Sequence, residues 1–344
     1  MKIGLSIHNL VNLDKLDNFF SNGLNQHLFT LKKYLENSND VYLISNNNSI
    51  NNTHKFICQS DHNSIAKLDI IICIGLIIDT TIIKNINPNI KIIFYSMGNV
   101  FQVDIYNMLE LNGASTVGES YFIYDEIWIS PQFEFCIDYY RYKYQTNNVF
   151  VAPFFWSDEY IKNGSDKILK FKEEIHVGVF EANICKEKNF VIPMIACEKA
   201  AEYISSAKIL NTAHLKNNDI INFFNISTLY KTGKLTAENR WAFPFIMSNY
   251  CNIVISYVEN WDLNYLYLEC FYHGIPLIHN SKILKDYGYY YEGCDAAMAA
   301  KHIKNLKVNG FDRQAYIDRH KVILFKYSLE NPEVTGFLNK RLHR

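Results

Sequence analysis

Short apolar runs alternate with amphipathic stretches along the first half of the chain. In one such stretch Leu24, Leu28, Leu31 and Leu35 recur at helical spacing, which predicts a helix over 22–36. Alternating strands and helices predict a parallel sheet that is covered by helices on both faces. The apolar runs that we predict to be strands are 2–8, 41–45, 69–74, 91–95, 126–130 and 148–152.

A second series of the same kind begins near residue 175. It predicts strands at 175–180, 208–211, 227–230, 252–257 and 276–279, and helices near 187–204, 236–249 and 262–273. The aromatic, turn-rich segment 152–166 separates the two series and is predicted to be the hinge between two domains. We therefore expect an α/β protein with domains at 1–155 and 156–320. The last predicted helix, about 311–327, and the tail 321–344 are expected to pack back on the first domain.

Composition narrows the class of protein. The chain has 344 residues, of which 49% are hydrophobic and 20% charged, as in soluble globular proteins. A net charge of −1 provides no basic field for nucleic acid, so no nucleic-acid partner is expected. The eight cysteines include no C-x-x-C pair, which predicts a reducing, cytoplasmic location and no zinc site. The N-terminus shows no signal-peptide pattern, and the longest apolar run, 68–78, is too short to cross a bilayer.

The segment 251–291 is the most informative part of the sequence. It predicts a buried strand, a polar turn, a helix and a second strand. Asp262 is placed to cap the helix, whose first turn would present free N–H groups to a diphosphate. Tyr265 and Glu269 are four residues apart and share one helical face, where a carboxylate can bind both ribose hydroxyls of a nucleotide. Gly274 and Pro276 end the helix. The alternative is a buried helix with one solvated glutamate.

The spacing Glu269-x-x-x-x-Gly274-x-Pro276 resembles the E-x4-G-x-P signature of retaining GT-B glycosyltransferases, the glycogen-synthase and sucrose-synthase group. That resemblance implies two Rossmann-like domains whose parallel sheets face a central cleft. In the group an earlier glutamate, at E-x7-E spacing, contacts the donor sugar. Here Trp261 occupies that position, and the nearest acid, Glu259, lies two residues too early. Retention or inversion at the sugar therefore stays open.

A longer match resembles a poorly characterised family of bacterial and viral GT-B-like glycosyltransferases. In the second domain it includes Asn260 and Asn264, as well as His279, Asn280 and Ser281 at the end of the next strand. That family usually has Asp where this chain has Glu269. The matching strings are N-x-x-x-N-Y-L-Y at 260–267, P-L-I-H-N-S at 276–281, G-Y-Y-Y at 288–291, S-N-G-x-N-Q at 21–26, G-N at 98–99 and D-E-x-W-x-x-P-Q at 125–132.

The resemblance also implies a donor-phosphate loop after the strand 175–180. Glu181 ends that strand, and Lys188 resembles the lysine that neutralises the diphosphate in GT-B enzymes. Arg240 is a candidate second phosphate clamp. Asn211 ends the following strand and is expected near the base or phosphates, on topology alone. The alternative for Lys188 is a solvated lysine at the start of a helix, and the alternative for Arg240 is an ordinary ion pair.

On the acceptor side, Gly23 lies before the first helix, like the glycine-rich loop of GT-B enzymes. His8 closes the first strand and is a candidate general base, because its pKa lies near working pH. Asp104 is the rival candidate. A structural hydrogen bond would explain His8 equally well, and a favourable position at a helix N-terminus would explain Asp104.

These observations predict a glycosyltransferase that moves a sugar from a nucleotide-diphosphate donor to a glycan or another hydroxyl acceptor. No Asp-x-Asp motif occurs in a convincing context, so we expect neither metal nor cofactor. Two alternatives stay open: a non-hydrolysing sugar-nucleotide epimerase, and a non-catalytic protein that binds a nucleotide sugar or glycan. Trp261 in place of the earlier glutamate favours the second. Nothing in the sequence indicates the oligomeric state.

Overall fold

The structure is a computed structural model. It describes residues 1–7, 23–46, 54–109, 122–159, 161, 174–183, 185–215 and 218–342. The chain divides into two compact units. The first consists of Met1–Trp156 together with Tyr327–Arg344, and the second of Ser157–Lys326. The chain thus leaves the first unit at Trp156 and returns to it for its last residues.

Within the described residues, seven parallel strands form the sheet of the first unit. They are β1 (Lys2–Ser6), β2 (Asp40–Ser45), β3 (Phe56–Cys58), β4 (Ile70–Cys73), β5 (Lys91–Ser96), β6 (Glu126–Ile129) and β7 (Val149–Val151). Their order is β3-β2-β1-β4-β5-β6-β7. Every residue of β4 and of β6 is buried, as expected for a sheet with helices on both faces. The six predicted strands are confirmed, and β3 adds an edge strand.

Helices of the first unit fill the connections between these strands. The helix predicted from the leucine spacing is confirmed, since Leu28, Leu31 and Leu35 are buried on one side of it. A 3-10 turn, Pro131–Cys136, leads into the last helix before β7. The helices are α1 (Gly23–Glu36), α2 (His62–Ile65), α3 (Thr80–Ile86), α4 (Val100–Leu109) and α5 (Ile137–Lys143).

The second unit has a parallel sheet of six described strands. They are β8 (Ile175–Val179), β9 (Ile204–Ile209), β10 (Leu235–Ala237), β11 (Ile253–Ile255), β12 (Leu277–His279) and β13 (Tyr289–Tyr290). Their order is β10-β9-β8-β11-β12-β13. The chain moves outward from β8 through β9 to β10 and then places β11 on the other side of β8. Strand order therefore reverses between β8 and β11, and ligands of open α/β sheets bind at such a point, beyond the carboxyl ends of the strands.

Seven described helices accompany this sheet: α6 (Val191–Lys199), α7 (Asn218–Ile226), α8 (Thr228–Lys231), α9 (Phe243–Asn249), α10 (Tyr265–His273), α11 (Ala296–Asn309) and α12 (Arg313–Lys326). The strand predicted at 227–230 is wrong, because this segment is α8. Ser227 caps it by accepting a 3.1 Å hydrogen bond from the N–H of Tyr230. The carboxylate of Glu198 accepts further bonds from the N–H groups of Thr228 and Leu229. These bonds satisfy the first turn of a short helix, and β10 takes the sheet position instead.

Within the predicted tail 321–344 the residues from Tyr327 onward belong to the first unit, whereas the helix predicted at 311–327 does not pack there. The helix predicted at 311–327 corresponds to α12, which packs in the second unit, where His320 stacks on Phe271 of α10 with ring centroids 4.3 Å apart. A further helix, α13 (Pro332–Leu342), belongs to the first unit. Its Phe337 ring lies 5.2 Å from that of Trp128. The aromatic residues of 311–327 therefore pack against α10, and the later apolar positions of 332–342 face the first core.

Candidate functional site

Most of the predicted donor-binding residues lie at the carboxyl ends of β8, β9, β11 and β12, within the second unit. These strands are parallel neighbours, so the segments that follow them meet at one edge of the sheet. The edge includes the reversal point between β8 and β11. The residues concerned are Glu181, Lys188, Asn211, Asn260, Asn264, Tyr265, Glu269, His279, Asn280 and Ser281.

Glu181 is a buried carboxyl group at the end of β8, with 2% of its surface exposed. It accepts hydrogen bonds from the hydroxyl of Ser256 and, at 3.2 Å, from the N–H of Tyr257, both just beyond β11. Because the Ser256 proton goes to Glu181, the hydroxyl of Tyr267 must donate the 2.7 Å bond that joins it to Ser256. Burial raises the pKa of Glu181 to about 7, against the lowering effects of Ser256, Lys188 and Tyr257. The carboxyl is therefore partly neutral at neutral pH.

Two asparagines tie the loops after β8 and β9 together. The Asn211 amide donates at 2.9 Å to the Glu181 carbonyl, and the Asn183 amide donates to the carbonyls of Glu181 and Leu210 at 2.9 and 3.0 Å. Both asparagines have left-handed backbones, with φ of 59° and 55°. The Asn183 Oδ1 atom is buried and accepts no hydrogen bond from the described residues. Asn183 belongs to the predicted donor-phosphate loop, but its bonds to the loop after β9 were not predicted.

Lys188 is held by its backbone and by an aromatic face. Its carbonyl accepts from the N–H of Asn183 at 3.1 Å, and it forms an antiparallel bridge with Val258. Its Nζ lies 4.6 Å from the centroid of the Trp261 ring, which is a cation–π contact. Burial lowers the pKa of Lys188, while the nearby Glu181 charge raises it. Sequence reasoning did not pair Lys188 with Trp261.

The turn before α10 differs from the prediction. The helix begins at Tyr265, and Asn264 caps it by accepting a 3.2 Å bond from the N–H of Leu266. Asp262 was expected to be the cap; instead its carboxylate accepts from the N–H of Lys282. The helix starts too late for Asp262 to reach its first turn. Asn260 is exposed in the turn, with φ of 51°.

Tyr265 and Glu269 lie on the same side of α10, as their spacing requires. They are 5% and 2% exposed, so the carboxylate of Glu269 does not face bulk solvent. A buried carboxylate on this helix is available to a ligand only from within the fold. The ribose contact assigned to Glu269 stays a prediction.

The three polar residues after β12 make bonds within the protein. The Asn280 side chain accepts from the Val258 N–H at 2.9 Å and donates to the Val258 carbonyl at 2.8 Å. His279 accepts from the Ser281 N–H at Nδ1, so its Nε2 carries a proton and donates to the Tyr287 carbonyl at 2.9 Å. Burial lowers the pKa of His279 to about 4, so the ring is neutral. These side chains fix loops of the second unit. Their predicted contacts with a nucleotide-sugar donor stay predictions.

The remaining predicted residues are Arg240 and three residues of the first half of the chain. Arg240 follows β10, whose carboxyl end lies beside that of β9, and the N–H of Asn211 donates to the carbonyl of the adjoining Asn239 at 3.4 Å. Arg240 precedes α9 and is exposed; the predicted helix 236–249 begins only at Phe243 because Leu235–Ala237 is a strand. Gly23 begins α1 in the first unit. His8 lies outside the described residues. Asp104 is fully buried in α4, and its carboxylate binds Lys143 Nζ at 2.7 Å as well as the Tyr139 hydroxyl. An ion pair occupies the carboxylate proposed as a base, and its role in catalysis stays a prediction.

Comparison with known proteins places the chain in a family. The model of the family DUF2827, described as a protein of unknown function, matches residues 3–342. The chain belongs to the DUF2827 family. No curated protein sequence matches this DUF2827 chain.

Solved structures resemble the DUF2827 chain over its whole length. A glycosyltransferase from Rickettsia africae ESF-5 is 13% identical, with a TM-score of 0.62, and covers 100% of this chain and 99% of its own. HepE from Anabaena, solved in complex with UDP, is 10% identical, with a TM-score of 0.64 and 99% coverage of both chains. The N-terminal domain of trehalose-6-phosphate phosphatase from Candida albicans is 10% identical, with a TM-score of 0.62, and covers 99% of this chain and 98% of its own.

At such low identity these likenesses establish the fold. The predicted GT-B fold class is confirmed, with a parallel sheet in each of the two units. The likeness to the retaining glycogen-synthase and sucrose-synthase group stays a prediction. None of the helices described is long and apolar enough to cross a membrane. Across the same residues, His, Cys, Asp and Glu side chains form no group of three or more that could hold a metal ion.

Proposed function

We propose that this DUF2827 protein is a glycosyltransferase that moves a sugar from a nucleoside-diphosphate sugar to a hydroxyl group of a glycan or another acceptor. The observation that carries the proposal is the ammonium of Lys188 at the reversal point of the second sheet. Its contact partner there is the face of Trp261, and none of the described residues accepts a hydrogen bond from Nζ. A cation in that state is suited to bind an anion.

The diphosphate would lie between Lys188 and the first turn of α10. The partial positive charge of a helix N-terminus favours phosphate oxygens, while the N–H of Leu266 in this turn is already bound by Asn264. When the sugar leaves, negative charge develops on the departing nucleoside diphosphate. A fixed cation stabilises that charge most when it is already in place before the reaction. Lys188, tied at its backbone to Asn183 and Val258, meets this requirement.

The rest of the donor would extend along the same edge of the sheet. Glu269 is the candidate for the ribose hydroxyls, and Asn211 and Asn260 border the same edge. We propose that Lys188 and the helix terminus take the place of a metal ion. The first unit, which contains Gly23 and Asp104, would provide the acceptor surface and any base.

The structural neighbours support the donor class. The Rickettsia africae protein is a glycosyltransferase, and HepE was solved with UDP. A nucleoside diphosphate is the product of the proposed reaction, so its binding to this chain is the simplest test.

Calorimetric titration with UDP, GDP, CDP and dTDP would identify the base. Lys188→Gln should weaken binding of the best ligand by about 10- to 100-fold, because a charge-assisted hydrogen bond is worth about 1.5–3 kcal/mol. Glu269→Gln should weaken nucleotides by a similar factor but leave inorganic diphosphate unaffected, since diphosphate has no ribose. Lys186→Gln, an exposed lysine two residues away, is the matched control. If Lys188→Gln binds as tightly as the parent, the site assignment is wrong.

One observation favours a second function. Trp261 stands where the resembled transferases have an acid that contacts the donor sugar, which suits a nucleotide-sugar or glycan-binding protein without catalysis. Under that alternative the parent would bind the nucleotide but consume no donor with any acceptor. Release of nucleoside diphosphate from the donor, measured with a panel of acceptors, separates the two functions.

A further inference from the structure

We infer that Trp261 is a positioning residue for Lys188: its indole face holds the ammonium at the donor-phosphate site while leaving the N–H donors available to phosphate. This inference rests on the proposed function. It assigns a role to the residue by which the chain departs from the transferases that it resembles. Tryptophan is the aromatic side chain that binds cations best, and 4.6 Å lies within the range of an effective contact.

Both partners of this contact are fixed by the fold. On the lysine side, Lys188 bridges Val258, and the N–H of Glu259 donates to the carbonyl of Glu187 at 2.8 Å. On the tryptophan side, Trp261 lies between this bridge and Asp262, whose carboxylate accepts from a backbone N–H after β12. The loop of Trp261 is therefore joined to the loop of Lys188 on one side of the contact and to the loop after β12 on the other. Backbone bonds thus fix the positions from which the lysine and tryptophan side chains extend toward each other.

The position of Val258 is itself fixed from a third loop. The side-chain amide of Asn280 binds both the N–H and the carbonyl of Val258, at 2.9 and 2.8 Å, and also donates to the carbonyl of Gly293 at 3.2 Å. Asn280 thus holds the segment that carries Lys188's bridge partner. A change in Trp261 should not displace the Lys188 backbone, because Asn280 and Val258 fix it independently of the indole.

The charges explain why an aromatic ring suits this position. An ammonium has three N–H donors and a strong preference for carboxylate acceptors. A carboxylate at residue 261 would bind the ammonium of Lys188 directly and compete with phosphate. A ring face attracts the charge without accepting an N–H as an anion does. The nearby carboxyl, Glu181, already accepts bonds from Ser256 and Tyr257 and makes no ion pair with Lys188.

A double-mutant cycle tests the inference. Calorimetry would give the UDP affinity, or that of whichever nucleoside diphosphate the parent binds best, for the parent, Trp261→Leu, Lys188→Gln and the double variant. Loss of the ring should weaken binding by about 5- to 10-fold in the parent. In the Lys188→Gln background the same change should weaken it less than about 2-fold, because no cation remains to be positioned. Trp261→Phe, which keeps an aromatic ring, should retain most of the affinity of the parent.

A purely structural role for Trp261 gives a different result. If Trp261→Leu weakens binding equally in both backgrounds, or has no effect in the parent, the inference is overturned while the proposed function stands. If the parent binds no nucleoside diphosphate, the proposed function itself fails. Tyr250→Leu is the matched control, since it removes the contact of Tyr250 with Lys208 Nζ, 4.9 Å from the ring, elsewhere in the unit. Should Trp261→Leu unfold at the assay temperature, Trp261→Met provides the same cycle.

Discussion

Replacing Glu181 with glutamine should stabilise the fold by an amount that grows as the pH rises. The carboxyl has a pKa near 7 in the fold against 4.5 without the fold, because burial disfavours its charged form. A carboxyl with a raised pKa stabilises the fold most below its unfolded pKa of 4.5. That contribution is lost as the pH rises through about 7. Between pH 5 and pH 8 the free energy of unfolding of the parent therefore falls because Glu181 must ionise in a buried position. Glu181→Gln has no such group and does not lose this stability.

The size of the effect follows from the shift. At 1.36 kcal/mol for each pKa unit, the loss of stability grows by about 2–3 kcal/mol between pH 5 and pH 8. Glutamine keeps an oxygen that can accept from Ser256 and Tyr257, so the hydrogen bonds of Glu181 are largely retained. We expect Glu181→Gln to unfold at nearly the same urea concentration as the parent at pH 5, and at a clearly higher one at pH 8.

Another carboxylate of the second unit, Glu238, provides a control with the opposite sign. Partial burial raises the pKa of Glu238, but hydrogen bonds from Lys208 and Thr236 lower it overall. Its contribution is present above pH 4.5 and is lost as the pH falls, so Glu238→Gln should cost under about 1 kcal/mol at pH 8 and less at pH 4. If the difference between Glu181→Gln and the parent stays constant from pH 5 to pH 8, Glu181 does not titrate as the structure implies.

Three further predictions concern the two units and the chemistry. Asp104→Asn should lower the free energy of unfolding by about 3 kcal/mol or more, because it leaves the buried Lys143 without its anion. Urea unfolding measures this change, and a loss well below that value would contradict a buried ion pair between the two residues. Gly274→Ala should lower the free energy of unfolding by about 1–3 kcal/mol, since φ is 63° and the new Cβ would lie 2.7 Å from the Arg313 side chain. Gly336→Ala is the control, because open space surrounds that position; thermal unfolding should show no loss of stability for it. EDTA should leave nucleotide binding and donor consumption unchanged, and a loss restored by Mg²⁺ would refute metal independence.

The sequence predicted the regular parts of the fold well. Long apolar strands such as β4 and β5 are unmistakable, because burial on both faces requires an almost continuous apolar run. Three short strands, β3, β10 and β13, were not predicted, although the equally short β7, β11 and β12 were. Leu235–Ala237 and Tyr289–Tyr290 are too short for any periodicity, and their places in the sheet depend on pairing with β9 and β12. The error at 227–230 has a related cause, since Ser227 and Glu198 stabilise a helix through bonds that no local pattern shows.

The sequence predicted the sheet edge at which these candidate residues lie, but not the contacts that they make. Glu181, Lys188 and Asn280 all lie at the carboxyl edge of the second sheet, as topology required. The partner of each residue comes from another loop: Ser256 for Glu181, Trp261 for Lys188 and Val258 for Asn280. Pairings between loops depend on tertiary structure, so a single sequence does not contain them. Trp261 was recognised as a departure from a motif, and its role became visible only through the position of Lys188.

Asparagine is abundant in this chain, and at the site it has a physical use beyond composition. Asn183, Asn211 and Asn280 each direct a side-chain amide at backbone groups of neighbouring loops, and Asn264 caps α10. An amide can donate and accept at once; a carboxylate in place of Asn280 could accept from the Val258 N–H but not donate to its carbonyl. Amides also fix the loops without adding negative charge. The asparagine amides that fix these loops are neutral, and the charge of Glu181 near Lys188 is partly suppressed. Fewer negative charges near the ammonium favour the binding of a diphosphate without a metal ion.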